Sequence, residues 1–378
     1  MRIQNGILMP IESETIQNGY VDFEDGKITA FGDMKDAPAY SGEVLDAQGG
    51  YILPGLIDAH THIGISEEGL RWEGADYNEG NNAVTPEMRA EDGFNPFDAA
   101  VSKAAQAGVT CAAVAPGSAN VIGGSIAAIK LYGTDVSDMI LKAPCAFKFA
   151  LGENPKNHYG RSLGKEPETR MAVAAIMRRT LNKTLRYMEK KEKDPDTYDP
   201  ALEPLIPVLK REIPVHFHAH RADDILTAVR IAKEFNLRFH IVHATNSFRI
   251  IPQMVKETVI PMIGPSLGPA GKPETMGGGF HTCGMLHAAG MEVAITTDHD
   301  VTPLWMLPFF AAMCVREGLP EDAAFRAITI NPAKAMGVDD HVGSIKVGKD
   351  ADIAVFNGHP FHYMTTASAV FIDGKRIK

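Results

Sequence analysis

Between residues 53 and 339 the chain alternates short apolar runs rich in β-branched residues with stretches of helical spacing, and no other feature restricts the fold as much. Candidate strands read at 108–115, 145–151, 213–218, 238–243, 258–263 and 292–297, and residues 221–235 put Ile225, Ala228, Val229 and Ala232 on one helical face. Repeated strand-then-helix order builds a parallel sheet, because a parallel return needs a crossover long enough for a helix. About eight such units over roughly 280 residues fit a closed (β/α)8 TIM barrel. No Gly-x-Gly-x-x-Gly follows the first strand to favour an open dinucleotide fold. In such a barrel the chemistry sits at the carboxyl ends of the strands.

The two ends of the chain have another texture. Residues 19–32 read as a strand, an Asp25-Gly26 turn and a second strand, and residues 353–358 and 369–375 repeat the pattern with Asp373-Gly374. Residues 1–52 and 340–378 are therefore expected to form one small β-sandwich domain beside a barrel domain spanning 53–339. Two stretches break the barrel rhythm. Residues 64–97, with Asp76, Asn78, Glu79, Asn81 and Asn82, form a long polar connection suited to a lid over the active face, and residues 186–200 read as a solvated helix end and a Pro-containing loop.

Composition narrows the function. Lys plus Arg number 37 against 47 Asp plus Glu, a net charge of −10, which argues against nucleic-acid phosphates or a membrane surface as partners. Cys111, Cys145, Cys283 and Cys314 include no CxxC pair, so neither a disulfide framework nor a thiolate zinc knuckle is indicated. With no leader-like or membrane-length apolar run, the expected setting is the cytoplasm, with a small-molecule substrate; a homo-oligomer is left open.

The histidines number 14, and many close apolar runs. Asp58-Ala59-His60-Thr61-His62 follows the run 51–57, and alternation along an extended backbone projects His60 and His62 to one side, where a divalent metal can be gripped. His216, His218 and His220 end one later run, His240 and His243 another, and Asp298, followed by His299, ends a third. Strand ends carrying His, His, His and Asp in a barrel are hard to reach by chance.

These residues resemble the amidohydrolase superfamily, most closely its imidazolonepropionase-related branch. The resemblance spans nearly the whole chain and rests on Leu53-Pro54-Gly55-Leu56-Ile57-Asp58-Ala59-His60-Thr61-His62, Gly108-Val109-Thr110, His218-Ala219-His220, His243-Ala244-Thr245, Thr297-Asp298-His299, and the tail segments 329–337 and 343–353. It implies a metal-bearing barrel flanked by a sandwich from both chain ends. It also implies that His60 and His62 are the first-strand ligands, His218 and His243 those of the fifth and sixth, and Asp298 the acid of the eighth. Zinc suits such a set, and iron or manganese stay open. In the implied hydrolysis the metal acidifies a water, Asp298 accepts its proton and returns it to the leaving nitrogen, and the metal polarises the substrate carbonyl or amidine.

One or two ions can be held, since binuclear relatives need a bridging group from a middle strand and two are offered. Lys148 would serve if carboxylated; Glu153, at the strand end beside Pro155, would serve unmodified and is the expected bridge. His220 shares the face of His218 and is an alternative ligand or substrate contact. His299 reads as a packing or outer partner, and His216 and His240 as structural. The Gly- and Pro-rich stretch 263–275 is expected to form the seventh active-face loop, with Lys272 or Glu274 reaching substrate. Gly117 and Gly123-Gly124-Ser125 are weaker candidates for presenting amides to an anion.

The function expected is a metal-dependent hydrolase of C–N bonds other than peptide bonds, acting on a cyclic amide, amidine or related small molecule. The alternatives are a prolidase-type dipeptidase or acyl-amino-acid hydrolase and, from another class, an inactive barrel scaffold. The intact set of His60, His62, His218, His243 and Asp298 argues against the scaffold, which has no need of an acid beside a metal.

Overall fold

The computed structural model describes residues 1–268 and 271–378, so Pro269 and Ala270 of the expected seventh loop lie outside the described residues. The terminal segments supply one sheet. Its strands are β1 (Arg2–Leu8), β2 (Ile16–Glu24), β3 (Lys27–Asp33), β4 (Val44–Asp46), β5 (Tyr51–Pro54) and, from the far end of the chain, β14 (Ile353–Phe356), β15 (Ala367–Ile372) and β16 (Lys375–Arg376). The order is β16-β15-β14-β5-β1-β2-β3, with β4 also on β1.

Four strand steps separate β15 from β2, about 19 Å in a flat sheet. The Phe23 and Phe371 rings nevertheless meet at 5.3 Å, so the sheet folds over on itself around Ile3, Val21, Phe23, Ile353 and Phe371. Both Asp-Gly turns have positive φ at each residue, 48° and 78° at Asp25-Gly26 and 50° and 72° at Asp373-Gly374. Glycine meets that demand without strain.

The barrel strands are β6 (Leu56–Thr61), β7 (Val109–Val114), β8 (Ile122–Lys130), β9 (Ile140–Ala150), β10 (Val215–Ala219), β11 (Phe239–His243), β12 (Met262–Ile263) and β13 (Ala294–Ile295), hydrogen-bonded in chain order. Side chains help to close β13 onto β6: the Thr296 hydroxyl donates to the His60 carbonyl at 2.6 Å. Helix Ala222–Glu234 buries Ile225, Ala228, Val229 and Ala232, the face that the apolar spacing predicts. Its partners are the outward residues of the strands, such as Phe149, Phe217 and Ile241.

The third barrel strand departs from the expected pattern. β8 runs antiparallel to both β7 and β9. The segment between β7 and β8 is too short for a helical crossover, so the chain turns back directly. Gly123, Gly124 and Ser125 consequently lie inside β8, buried, and form no anion-binding loop. A Cβ at Gly124 would stand 2.1 Å from the Met88 carbonyl, which lets the 64–97 connection lie against this strand.

Sheet and barrel are tied together by a buried ion cluster. The Lys130 ammonium on β8 lies 2.6 Å from Asp350 and 3.1 Å from Asp352, and also pairs with Asp373. Lys130→Met is expected to leave the buried Asp352 carboxylate without its counter-charge and to destabilise the fold by about 3–5 kcal/mol. The shift in urea midpoint measures it, and an unchanged midpoint would show that the junction does not depend on this charge.

Candidate functional site

The carboxyl ends of the strands open onto a cavity of about 1020 Å³ lined by His62, Tyr77, His218, His220, His243, Lys272 and Asp298, among others. His60 and His62 leave β6 on one side, their rings 5.2 Å apart. Asp58, two residues earlier, accepts hydrogen bonds from the Thr297 N–H at 2.8 Å and hydroxyl at 2.9 Å. It thereby clamps the first strand to the turn bearing Asp298, and burial raises its carboxyl to about 7.

Asp298 Oδ1 is 3.5 Å from His60 Nε2 and 3.4 Å from His62 Nε2. Burial acts to raise its pKa, but His243, His62 and Lys148 outweigh burial and hold it well below the usual carboxylate range. Its backbone sits in the left-handed region at φ 51°, a strained conformation that aims the carboxylate across the cavity mouth.

His243 owes its place to similar strain. Alternation along β11 sends Ile241 outward among the helices and Val242 inward beside Ala59 and Met262, so the next side chain would point outward again. A φ of 71° at His243 ends the strand and turns the ring to the cavity. Its Nδ1–H then donates to the Gly264 carbonyl at 2.7 Å, as that of His62 does to the Ala115 carbonyl at 2.7 Å. A carbonyl only accepts, so both rings carry their proton on Nδ1 and leave the Nε2 lone pair free for a cation.

His218 faces His243 and His220 with ring centroids 4.5 and 4.9 Å away, and His220 stacks on His243 at 4.3 Å. Burial lowers the pKa of His60, His218 and His220 well below the ordinary value and that of His243 to about 4, so these rings are neutral ligands rather than cations. Ligand atoms of His60, His243 and Asp298 lie within 4.8 Å of one another, as do those of His218, His220 and His243. Buried His60 Nδ1, His218 Nδ1 and Asp298 Oδ1 have no hydrogen-bond partner. Converging neutral imidazoles, one carboxylate and unpartnered buried lone pairs fit a divalent cation.

Of the two candidate bridges, the middle strand brings Lys148 to the imidazoles and not Glu153. Along β9, Phe147 and Phe149 pack outward, so Lys148 points inward, and its Nζ lies 2.8 Å from His60 Nε2. Burial, opposed by Asp298 and aided by Lys272, brings its pKa down to about 7. Glu153 lies elsewhere. Gly152 at φ 84° turns the chain off the barrel axis, and the Glu153 carboxylate accepts the Glu274 N–H at 3.3 Å, beside a smaller cavity lined also by Arg170 and Arg221.

The remaining expectations sort as follows. His299 accepts the Leu304 N–H on Nδ1, and its carbonyl receives the His62 N–H at 2.6 Å, so it braces the His62 backbone. His216 lies deeper, its Nε2 3.4 Å from the Ala335 carbonyl, and His240 accepts the Ile260 N–H. Lys272 lines the cavity, 2.7 Å from Asn154 Oδ1 and 2.7 Å from Glu274 Oε1. The 64–97 connection covers the active face: Tyr77 stacks on His62 at 5.2 Å, and Asn78 Oδ1 accepts the Ala119 N–H. Sequence reasoning passed over Tyr77, whose one signal was an aromatic amid polar residues.

A model of the amidohydrolase family matches residues 51–377. A solved amidohydrolase structure from Thermotoga maritima MSB8 superposes with a TM-score of 0.96 at 38% identity, covering 100% of this chain and 99% of that one. An amidohydrolase of Hapsidospora irregularis is 27% identical over 95% of this chain, which spans only 39% of that relative's length. An imidazolonepropionase of Sphingopyxis alaskensis is 24% identical, with 90% of this chain and 87% of the relative aligned. Among the described residues no helix is long and apolar enough to cross a membrane.

Proposed function

The chain belongs to the amidohydrolase family, and we propose that it hydrolyses a non-peptide C–N bond of a small cyclic amide, amidine or related compound. The observation that carries this reading is the meeting of His60, His243 and Asp298 ligand atoms within 4.8 Å at the floor of the cavity. His60, His62, His243 and Asp298 would hold a divalent cation, with zinc favoured by the imidazole-rich set. When bound, the cation supplies Lewis acidity toward the substrate carbonyl or amidine and brings the pKa of a water toward neutrality.

The chain's own residues do the rest. Asp298, held ionised, accepts the proton of the attacking water and hands it to the leaving nitrogen. The Nδ1 contacts of His62 and His243 fix the tautomers, and the Tyr77 ring shields His62 from solvent. Lys148 is the group positioned to bridge two ions. Its neutral amine can add CO2 through nitrogen, losing a proton and leaving a carbamate whose oxygens would be ligands.

Lys148 also favours a second reading, a prolidase-type dipeptidase, because a carboxylated lysine on this strand is the bridge that such a site would use. One experiment separates the two: the metal-loaded protein is assayed against cyclic amides, amidines and heterocyclic amines, and against Xaa-Pro and acyl-amino-acid panels. Turnover confined to the first group is the expected result. Release of free amino acids alone would move the assignment to the second.

A further inference from the structure

At the opposite end of the barrel, where the strands begin, a cleft of about 520 Å³ collects cations. Among the described residues its lining carries Arg211, Lys233, Arg238, Lys256 and Lys334 against a single acid, Glu257. In a chain of net charge −10 that local excess runs against the average. Glu257 is spent on Lys233 at 2.5 Å, and Lys334 pairs with Glu292 at 2.7 Å, which leaves Arg211, Arg238 and Lys256 without a carboxylate partner among the described residues. These three come from successive loops, those preceding β10, β11 and β12.

The two guanidinium groups are held in place rather than left to solvent. Arg211 Nη1 donates to the Asn236 carbonyl at 2.8 Å and to its Oδ1 at 2.7 Å, and Arg238 Nη1 donates to the Arg211 and Glu212 carbonyls at 3.4 and 3.3 Å. These acceptors are neutral, so they orient the groups without cancelling their charge, and Nε and Nη2 of each remain for an anion. His240 lines the same cleft, and burial with the Arg238 charge lowers its pKa to about 4. Its Nδ1 accepts the Ile260 N–H at 2.9 Å, so the neutral ring carries its proton on Nε2 and is a further donor. Leu237 and Phe239 add an apolar wall.

Guanidinium forks match the oxygens of a phosphoryl group two at a time, and an ammonium adds a point charge beside them. The volume suits a small molecule. We propose that Arg211, Arg238 and Lys256 form a binding site for a small phosphate-bearing compound, with His240 as a neutral donor to the same group. The site is remote from the imidazole cluster: His240 precedes His243 by three residues, about 10 Å along β11, and the cleft opens at the far end of that strand. The inference goes beyond the hydrolytic reading and does not depend on it.

The test is isothermal titration calorimetry of the full-length protein with inorganic phosphate, pyrophosphate and phenyl phosphate as probes, in about 0.15 M salt, where diffuse attraction is screened beyond about 8 Å. Wild type is expected to bind pyrophosphate or phenyl phosphate at a single site per chain. Arg238→Gln and Lys256→Gln should each weaken that binding by at least about tenfold, the loss expected when a hydrogen bond to a charged group is removed. The double variant His60→Ala/His62→Ala, which dismantles the candidate metal site, should bind as wild type does. Preference for phenyl phosphate over inorganic phosphate would identify an ester seated against Leu237 and Phe239, and preference for pyrophosphate a free polyphosphate; either sustains the site. Failure of all three probes, or wild-type affinity in Arg238→Gln or Lys256→Gln, overturns it. A loss confined to the His60/His62 variant also overturns it, by placing the phosphate at the metal, and leaves the proposed function standing. If Arg238→Gln does not fold by circular dichroism, Lys256→Gln, at an exposed position, decides alone.

Discussion

Asp298→Asn is expected to retain most of the metal and to lose about 10²–10⁴ in kcat, the range general-base catalysis supplies. An amide has nearly the shape of the carboxylate but accepts no proton at neutral pH. The geometry is specific: Oδ1 sits 3.5 and 3.4 Å from the Nε2 atoms of His60 and His62, on a residue whose backbone lies in the left-handed region at φ 51°. A carboxylate held well below its usual range is a weak base toward ordinary water. It becomes effective only toward a water whose own pKa has been brought near neutrality, so base and cation are both needed, and loss of either should be nearly complete. Steady-state kinetics and elemental analysis on one preparation decide it. A variant that keeps more than a tenth of the wild-type rate would remove Asp298 from the base role.

Much of this arrangement is legible in the sequence because it follows from periodicity. The period of two places His60 beside His62 and His218 beside His220, and the 3.6-residue period places Ile225, Ala228, Val229 and Ala232 on one buried face. What escapes is what breaks a period. β8 reverses direction because its connection is too short to carry a helix, and a glycine-rich run that reads as a loop becomes a buried strand. His243 reaches the cavity through a positive φ that alternation cannot anticipate. Glu153, next to a proline at a strand end, looks like a site residue, yet the turn at Gly152 carries it away. Glu274 lies beside His218 and His220 only through three-dimensional contact, from a loop whose Gly and Pro content says where helix is excluded but not where side chains go.

The identity of the bridging group has the largest consequence for metal content. Lys148 is fully buried, and among the described residues no carboxylate forms a salt bridge with it; the hydrogen-bonding contact of its amine is His60 Nε2 at 2.8 Å. A charged ammonium is poorly accommodated there, and a pKa lowered to about 7 leaves much of the amine neutral and nucleophilic at working pH. Addition to CO2 would turn a buried amine into a buried anion with two oxygen donors, which is stable only if cations receive them. Lys148→Met, close in volume and unable to form a carbamate, should therefore lose at least one metal ion and nearly all activity. Glu153→Gln should leave both nearly unchanged, because its side chain accepts a backbone N–H of the seventh loop rather than facing the imidazoles. Metal-stripped wild type reloaded with bicarbonate should regain activity faster than without it, and the Lys148 variant should show no such effect. If Lys148→Met keeps its metal while Glu153→Gln loses it, the bridge lies where the strand-end proline first suggested, and the contact of Glu153 with the seventh loop must open when metal binds.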